Sequence, residues 1–104
     1  MAIKEMKKYR KEIIEFCRRW KIVEFSVFGS MLRRDFGENS DIDILVRFSA
    51  DAHWSLLDHV AMQEELSQLL GRKVDLVSRR GIERSRNYIR RDAILNSTEL
   101  VYAT

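Results

Sequence analysis

The sequence has no proline, one cysteine, two histidines and four glycines in 104 residues. A lone cysteine cannot close an internal disulfide, and Cys17 stands on an apolar helical face, which reads as a core position. His53 and His59 are not at a zinc-ligand spacing with any other candidate, and Cys17 is remote from both, which argues against a zinc site. No apolar run approaches the ~20 residues that a membrane span requires. The segment Met1 to Lys11 is charged and lacks the apolar stretch of a secretory signal. A cytoplasmic protein with no membrane partner is therefore expected. There is no repeat, no linker and no low-complexity tract, so residues 1–104 read as a single domain. A chain this short buries about two thirds of its surface, which allows one core and not two.

What is present fits an ordinary globular chain: 45% hydrophobic and 34% charged residues argue against disorder. The net charge is +3 and the sequence pI about 9.2. A mild basic excess suits polyanions such as nucleotides or nucleic acid, but serves solubility equally well.

Met6, Tyr9, Ile13, Phe16 or Cys17, and Trp20 recur every three or four residues. That spacing predicts a first helix over Ile3 to Trp20. Ile22 to Phe28 is rich in β-branched and aromatic residues and reads as a strand. Gly29-Ser30 breaks it. Met31 to Phe36 could form a small helix, and Gly37, Asn39 and Ser40 mark a loop. Asp41 to Phe48 reads as a second strand, with Ile42, Ile44, Val46 and Phe48 on one face and Asp41, Asp43, Leu45 and Arg47 on the other. A long helix is predicted over Ala52 to Leu70, with Leu56, Val60, Leu66, Leu69 and Leu70 on or near one face. Gly71 is a plausible C-terminal cap. Lys73 to Val77 reads as a third strand, Ile82 to Leu95 as a basic helix and Thr98 to Ala103 as a last strand. The order is that of an α/β chain of the α+β type, one mixed sheet flanked by helices.

Two aspartates at i and i+2 of a strand share a face about 6.6–7 Å apart. Aspartate is disfavoured in strands, and two on one face repel and raise at least one pKa. A divalent cation removes that penalty, and Mg²⁺ takes hard oxygen ligands, a few from protein and the rest from water and phosphate. Asp41 and Asp43 are thus candidate metal ligands. A strand that ends in Gly29-Ser30 offers backbone N–H groups and a hydroxyl to an anion. Glycine admits a phosphate close to the backbone, because it has no Cβ. Asp75 joins the pair if its strand lies beside the second one. Three carboxylates around two metals about 3.5–4 Å apart form an apparatus for in-line phosphoryl displacement.

Gly29-Ser30, ten residues, then Asp41-Ile42-Asp43 resembles the signature of minimal nucleotidyltransferases in the DNA polymerase β-like superfamily. Phe25-Ser26-Val27-Phe28 is similar to the hydrophobic strand before Gly-Ser, and Arg33 matches a common arginine three residues after that serine. Ser40 to Val46 resembles the Ser-Asp-Ile-Asp-Leu run. Lys73 to Val77 resembles the strand with the third catalytic aspartate, and Tyr88 to Tyr102 the C-terminal ending. The chain departs from the family where Arg34 replaces the last glycine of Gly-Ser-Arg-Ala-Arg-Gly. A single domain is expected, without the extra domains by which larger members bind template, tRNA or antibiotic.

The resemblance implies a nucleotidyltransferase fold and an enzyme moving a nucleoside monophosphate, AMP from ATP or another NTP, to an acceptor hydroxyl. It implies Asp41, Asp43 and Asp75 as catalytic metal ligands for two Mg²⁺ ions, with Asp75 also a possible base. It implies Gly29, Ser30 and Arg33 as triphosphate contacts. Small members pair as antitoxins with a helical ribonuclease toxin of the HEPN type, and some adenylylate a tyrosine on it. The alternatives are a non-catalytic toxin-binding module of the same fold and a basic nucleic-acid-binding domain. Arg79, Arg80, Arg84, Arg86, Arg90 and Arg91 concentrate the basic excess against only Glu83. Only Tyr88 supplies an aromatic inside that stretch, which ranks nucleic acid below nucleotide and protein partners. Trp20 and Trp54 read as core or interface anchors. Homo-oligomerisation is left open.

Overall fold

The computed structural model describes residues 6–29 and 41–104. The small helix expected over Met31 to Phe36, the loop after it, and the site candidates Ser30 and Arg33 lie outside the described residues. The described elements are α1 (Arg10–Arg19), β1 (Ile22–Phe28), β2 (Ile42–Phe48), α2 (Leu56–Leu70), β3 (Val74–Ser78), α3 (Arg79–Glu83), α4 (Tyr88–Asn96) and β4 (Glu99–Ala103). The strands form one mixed sheet in the order β3-β2-β1-β4. β1 is antiparallel to both of its neighbours, and β2 and β3 are parallel. No described helix is long and apolar enough to cross a membrane.

The β2 alternation buries Ile42, Ile44 and Val46 against α1 and α2, together with Phe25 and Val27 of β1 and Val74 and Leu76 of β3. α1 contributes Ile13, Phe16 and Cys17 to this core. The opposite face of the sheet carries a smaller cluster, Phe28, Leu45, Ile82 and Ile94. Trp54 stands edge-on to Trp20 with centroids 5.2 Å apart, and its indole N–H donates to the Trp20 carbonyl at 2.8 Å. The Trp20 indole in turn donates to Glu65 at 3.2 Å. Both tryptophans are thus anchors against the core, each with its N–H satisfied.

Helix α2 begins at a reciprocal cap. The Ser55 hydroxyl accepts from the Asp58 N–H, and the Asp58 carboxylate accepts from the Ser55 N–H. It ends at Gly71, whose φ of +66° is the left-handed cap that glycine adopts without steric cost. One face of α2 closes the open edge of β3. Ser67 Oγ accepts from the Val74 N–H at 3.1 Å, and Gln63 Oε1 from the Leu76 N–H at 3.0 Å. His59 Nε2 meets the Leu76 carbonyl at 2.7 Å and, facing an acceptor, donates. Residues 59, 63 and 67 follow the four-residue helical repeat, so one row of side chains satisfies the outward backbone groups of an edge strand.

Three expectations are corrected. The first helix, expected over Ile3 to Trp20, is interrupted: Met6 and Lys7 are helical, Lys8 and Tyr9 form a turn, and α1 runs over Arg10–Arg19, while Ile3 to Glu5 lie outside the described residues. The buried face of α2 is Met62, Leu66 and Leu70, while Leu56 (78% exposed) and Val60 point to solvent. The row that seals β3 fixes the rotation of the helix and turns those two outward. The single basic helix over Ile82 to Leu95 is two helices: α3 starts earlier, at a Ser78 cap whose hydroxyl accepts from the Gly81 N–H, and the chain leaves helical geometry after Glu83 and resumes it at Tyr88.

Candidate active site

The parallel register of β2 and β3 pairs Asp43 with Asp75. Register partners on adjacent strands share a face and lie about 4.8 Å apart across the ladder. β1 completes the row, because Phe28 pairs with Asp43 from the other side. Asp41 stands two residues before Asp43, on the same side by alternation, at the entrance to β2. Asp41 and Asp75 are exposed and Asp43 is half-buried. The same parity sends Val74 and Leu76 into the core.

Gly29 follows β1 directly and has a φ of +64°. A Cβ at this position would overlap the Asp43 carboxylate, Oδ2 first and Cγ at 3.2 Å. Glycine is therefore required twice here, for its backbone angle and for the carboxylate packed against it. The sequence predicts the close approach of a phosphate; the approach of Asp43 is additional.

Among the described residues no group of three or more His, Cys, Asp or Glu side chains converges on a point. The expected three-carboxylate set is present as a register pair plus its neighbour, not as a closed cluster. Like charges on one face repel, and a cation is what draws them together. The donor chemistry fits a hard divalent ion that takes carboxylate oxygens. It does not fit an ion that prefers sulfur or imidazole. Cys17 is buried in the core, and burial pushes its thiol up to about 12. His59 is engaged with Leu76, and His53 is exposed and remote in sequence.

At the other end of this sheet face Glu24 accepts from Arg47 at 3.1 Å and from Arg79 at 3.4 Å. Sequence reasoning missed Glu24, a carboxylate on a central strand that ties β1, β2 and the start of α3 together. No local sequence signal marks it, because its place opposite Arg47 is set by the pairing of β1 with β2. A cleft of about 830 Å³ opens beside this network, lined by Arg47, Arg79, Arg80, His59 and Trp54 among others. It contains none of Asp41, Asp43 or Asp75. Arg47 is four residues from Asp43, roughly 13 Å along the strand. Phosphoryl chemistry needs charge at the reacting atoms, so the carboxylate row and not the larger cleft is the candidate site.

Residues 7–100 match the family described as "Nucleotidyltransferase domain". The protein adenylyltransferase MntA of Thermococcus cleftensis is 40% identical over 75 residues, 72% of this chain and 71% of that one. The solved structure of a candidate minimal nucleotidyltransferase superposes with a TM-score of 0.72 at 33% identity, covering 97% of each chain. A chain of a toxin–antitoxin complex crystallised with AMP-PNP superposes with a TM-score of 0.70 at 26% identity, over 91% of this chain and 73% of that one. A mixed sheet with helices on both faces, an aspartate pair in register beside a left-handed glycine, and a match across nearly the whole length lead to one assignment. The chain belongs to the nucleotidyltransferase domain family, as one of its minimal nucleotidyltransferases.

Proposed function

We propose that the chain transfers AMP from ATP to a tyrosine hydroxyl of a helical HEPN-type ribonuclease toxin, and thereby acts as its antitoxin. The single observation that carries the reading is the Asp43–Asp75 register pair with Gly29 against it. The adenylyltransferase activity named for MntA and the AMP-PNP in the toxin–antitoxin neighbour support ATP and a toxin as the two substrates.

Asp41, Asp43 and Asp75 would hold Mg²⁺, two ions in this reading. When bound, the metal neutralises the triphosphate and makes the acceptor hydroxyl more acidic. Gly29 would offer its backbone N–H to the triphosphate with no side chain of its own in the way. Ser30 and Arg33, assigned from the sequence, add a hydroxyl and a cation to the same phosphates. Asp75, exposed at the edge of the pair, takes the proton of the attacking hydroxyl. The hydroxyl oxygen bonds to the α-phosphorus, the bond to the bridging α,β-oxygen breaks, and pyrophosphate leaves.

The test uses ATP labelled at either the α- or the γ-phosphorus, with Mg²⁺ and the purified toxin. The expected result is α-label on a toxin tyrosine and γ-label in pyrophosphate. Transfer of γ-label to protein would replace the reading with a kinase. Toxin neutralised without any label, and equally well by Asp41→Asn/Asp43→Asn, would replace it with a binding module.

A further inference from the structure

The chain's basic excess is confined to one stretch. Residues 79–91 hold six arginines and one glutamate, a local +5, whereas the whole chain is +3, so everything outside the stretch sums to −2. Not all of these charges are available. Arg79 is paired with Glu24 and Glu83, and Arg91 lies 3.5 Å from Asp92. Arg80, Arg84 and Arg86 are exposed, and among the described residues no carboxylate stands within ion-pair distance of them. The last two occupy the break between α3 and α4. Tyr88 (68% exposed) and Ile89 (85% exposed) follow directly and open α4.

Uncompensated guanidiniums beside an exposed tyrosine and isoleucine have the composition of a protein interface: an apolar centre with arginine at its margin. Single-stranded nucleic acid would need several aromatic faces. Here the one aromatic, Tyr88, already carries the Arg91 guanidinium 5.3 Å from its ring centroid. From this we infer that Arg84, Arg86, Tyr88 and Ile89 form the docking surface for an acidic protein surface with an apolar centre. Resting on the reading above, the toxin is the protein that presents it. α4 packs Ile94 on the sheet face that bears Asp43 and Asp75, so a partner held here is held on the catalytic side.

The experiment is titration of the toxin with the wild-type chain, Arg84→Glu/Arg86→Glu and Ile89→Asp, without nucleotide, at 50 and 200 mM salt. Arg84→Ala/Arg86→Ala is carried alongside in case charge reversal disturbs folding. The wild-type Kd should rise severalfold at the higher salt, since exposed charges more than about 8–10 Å apart are screened there. Both arginine pairs should bind at least tenfold more weakly and lose most of that salt dependence. Ile89→Asp should weaken binding comparably. A second arm measures a 20-nucleotide oligouridylate by fluorescence anisotropy, and it should bind the wild type at least tenfold more weakly than the toxin does. Variants that all bind the toxin within twofold of wild type would overturn the inference. So would oligouridylate binding as tight as the toxin's and lost in the same variants. The readout involves no transfer: toxin labelling that persists with unchanged affinity sinks the surface alone. Tight binding without any labelling sinks the transfer reading and leaves the surface standing.

Discussion

Asp43 and Asp75 are register partners on neighbouring parallel strands, thirty-two positions apart in the chain and side by side on one face of the sheet. Nothing in that arrangement favours the fold by itself, since two carboxylates one strand apart repel. The metal dependence of stability follows. Asp75→Asn should leave the metal-free protein as stable as wild type or slightly more so, and Asp43→Asn is carried beside it as a second variant for the metal-dependent gain. In wild type, Mg²⁺ with AMP-PNP at a hundredfold excess over Kd should stabilise by about 2.7 kcal/mol, a Tm rise of roughly 10 °C or more for a chain of this size. In either variant the rise should fall below half of that. Thermal scans with and without Mg²⁺ and AMP-PNP read both effects.

Gly29→Ala should damage the site and the fold together. The left-handed φ costs an alanine about 1–2 kcal/mol, and the new Cβ must displace the Asp43 carboxylate. We expect a measurable fall in Tm and a loss of transfer larger than that fall explains. Gly71→Ala is the control. It has the same φ class, at +66°, but nothing lies within 4 Å of its would-be Cβ. It should lower Tm similarly and leave transfer intact.

The strand that carries Asp75 is held by α2. Gln63→Leu removes the acceptor for the Leu76 N–H, and a buried donor left unpaired costs about 1–3 kcal/mol. Because Leu76 adjoins Asp75, amide hydrogen exchange at Val74 and Leu76 should accelerate in the variant more than exchange in β1. Equal acceleration throughout the sheet would indicate a global loss of stability instead.

Much of this was legible in the sequence and some of it was not. The strand Ile22–Phe28 followed from its β-branched and aromatic content and β2 from its period-two alternation, because Ile42, Ile44 and Val46 all face the core. Asp75 was legible as a carboxylate between two core residues; that it stands opposite Asp43 depends on strand order, which no local pattern encodes. The face of α2 was misread because Leu56 and Val60 fit an apolar stripe as well as Met62 does. The polar row of His59, Gln63 and Ser67 settled the rotation, and its meaning depends on an edge strand that follows later in the chain. The Glu24 network was illegible for the same reason, since its partners come from β2 and α3.

Cys17 offers a check on the core. Its thiol is pushed from 9.0 to about 12 by burial, so in the folded protein it stays neutral where the unfolded chain ionises. Its effect on stability is therefore absent below about pH 9 and destabilising as pH rises from there through 12. A thiol reagent at pH 8 should not react with native protein and should react fully once it is unfolded. Rapid native labelling would contradict the packing of α1 against the sheet.

The central claim is that the Asp43–Asp75 row performs nucleotidyl transfer. The most direct test is the single-turnover rate of α-label transfer from ATP to the toxin by wild type, Asp43→Asn and Asp75→Asn, with native folding verified for each. We predict that either substitution slows transfer by at least about a hundredfold, the scale of losing one group that stabilises transition-state charge. Rates within twofold of wild type for either variant would contradict it.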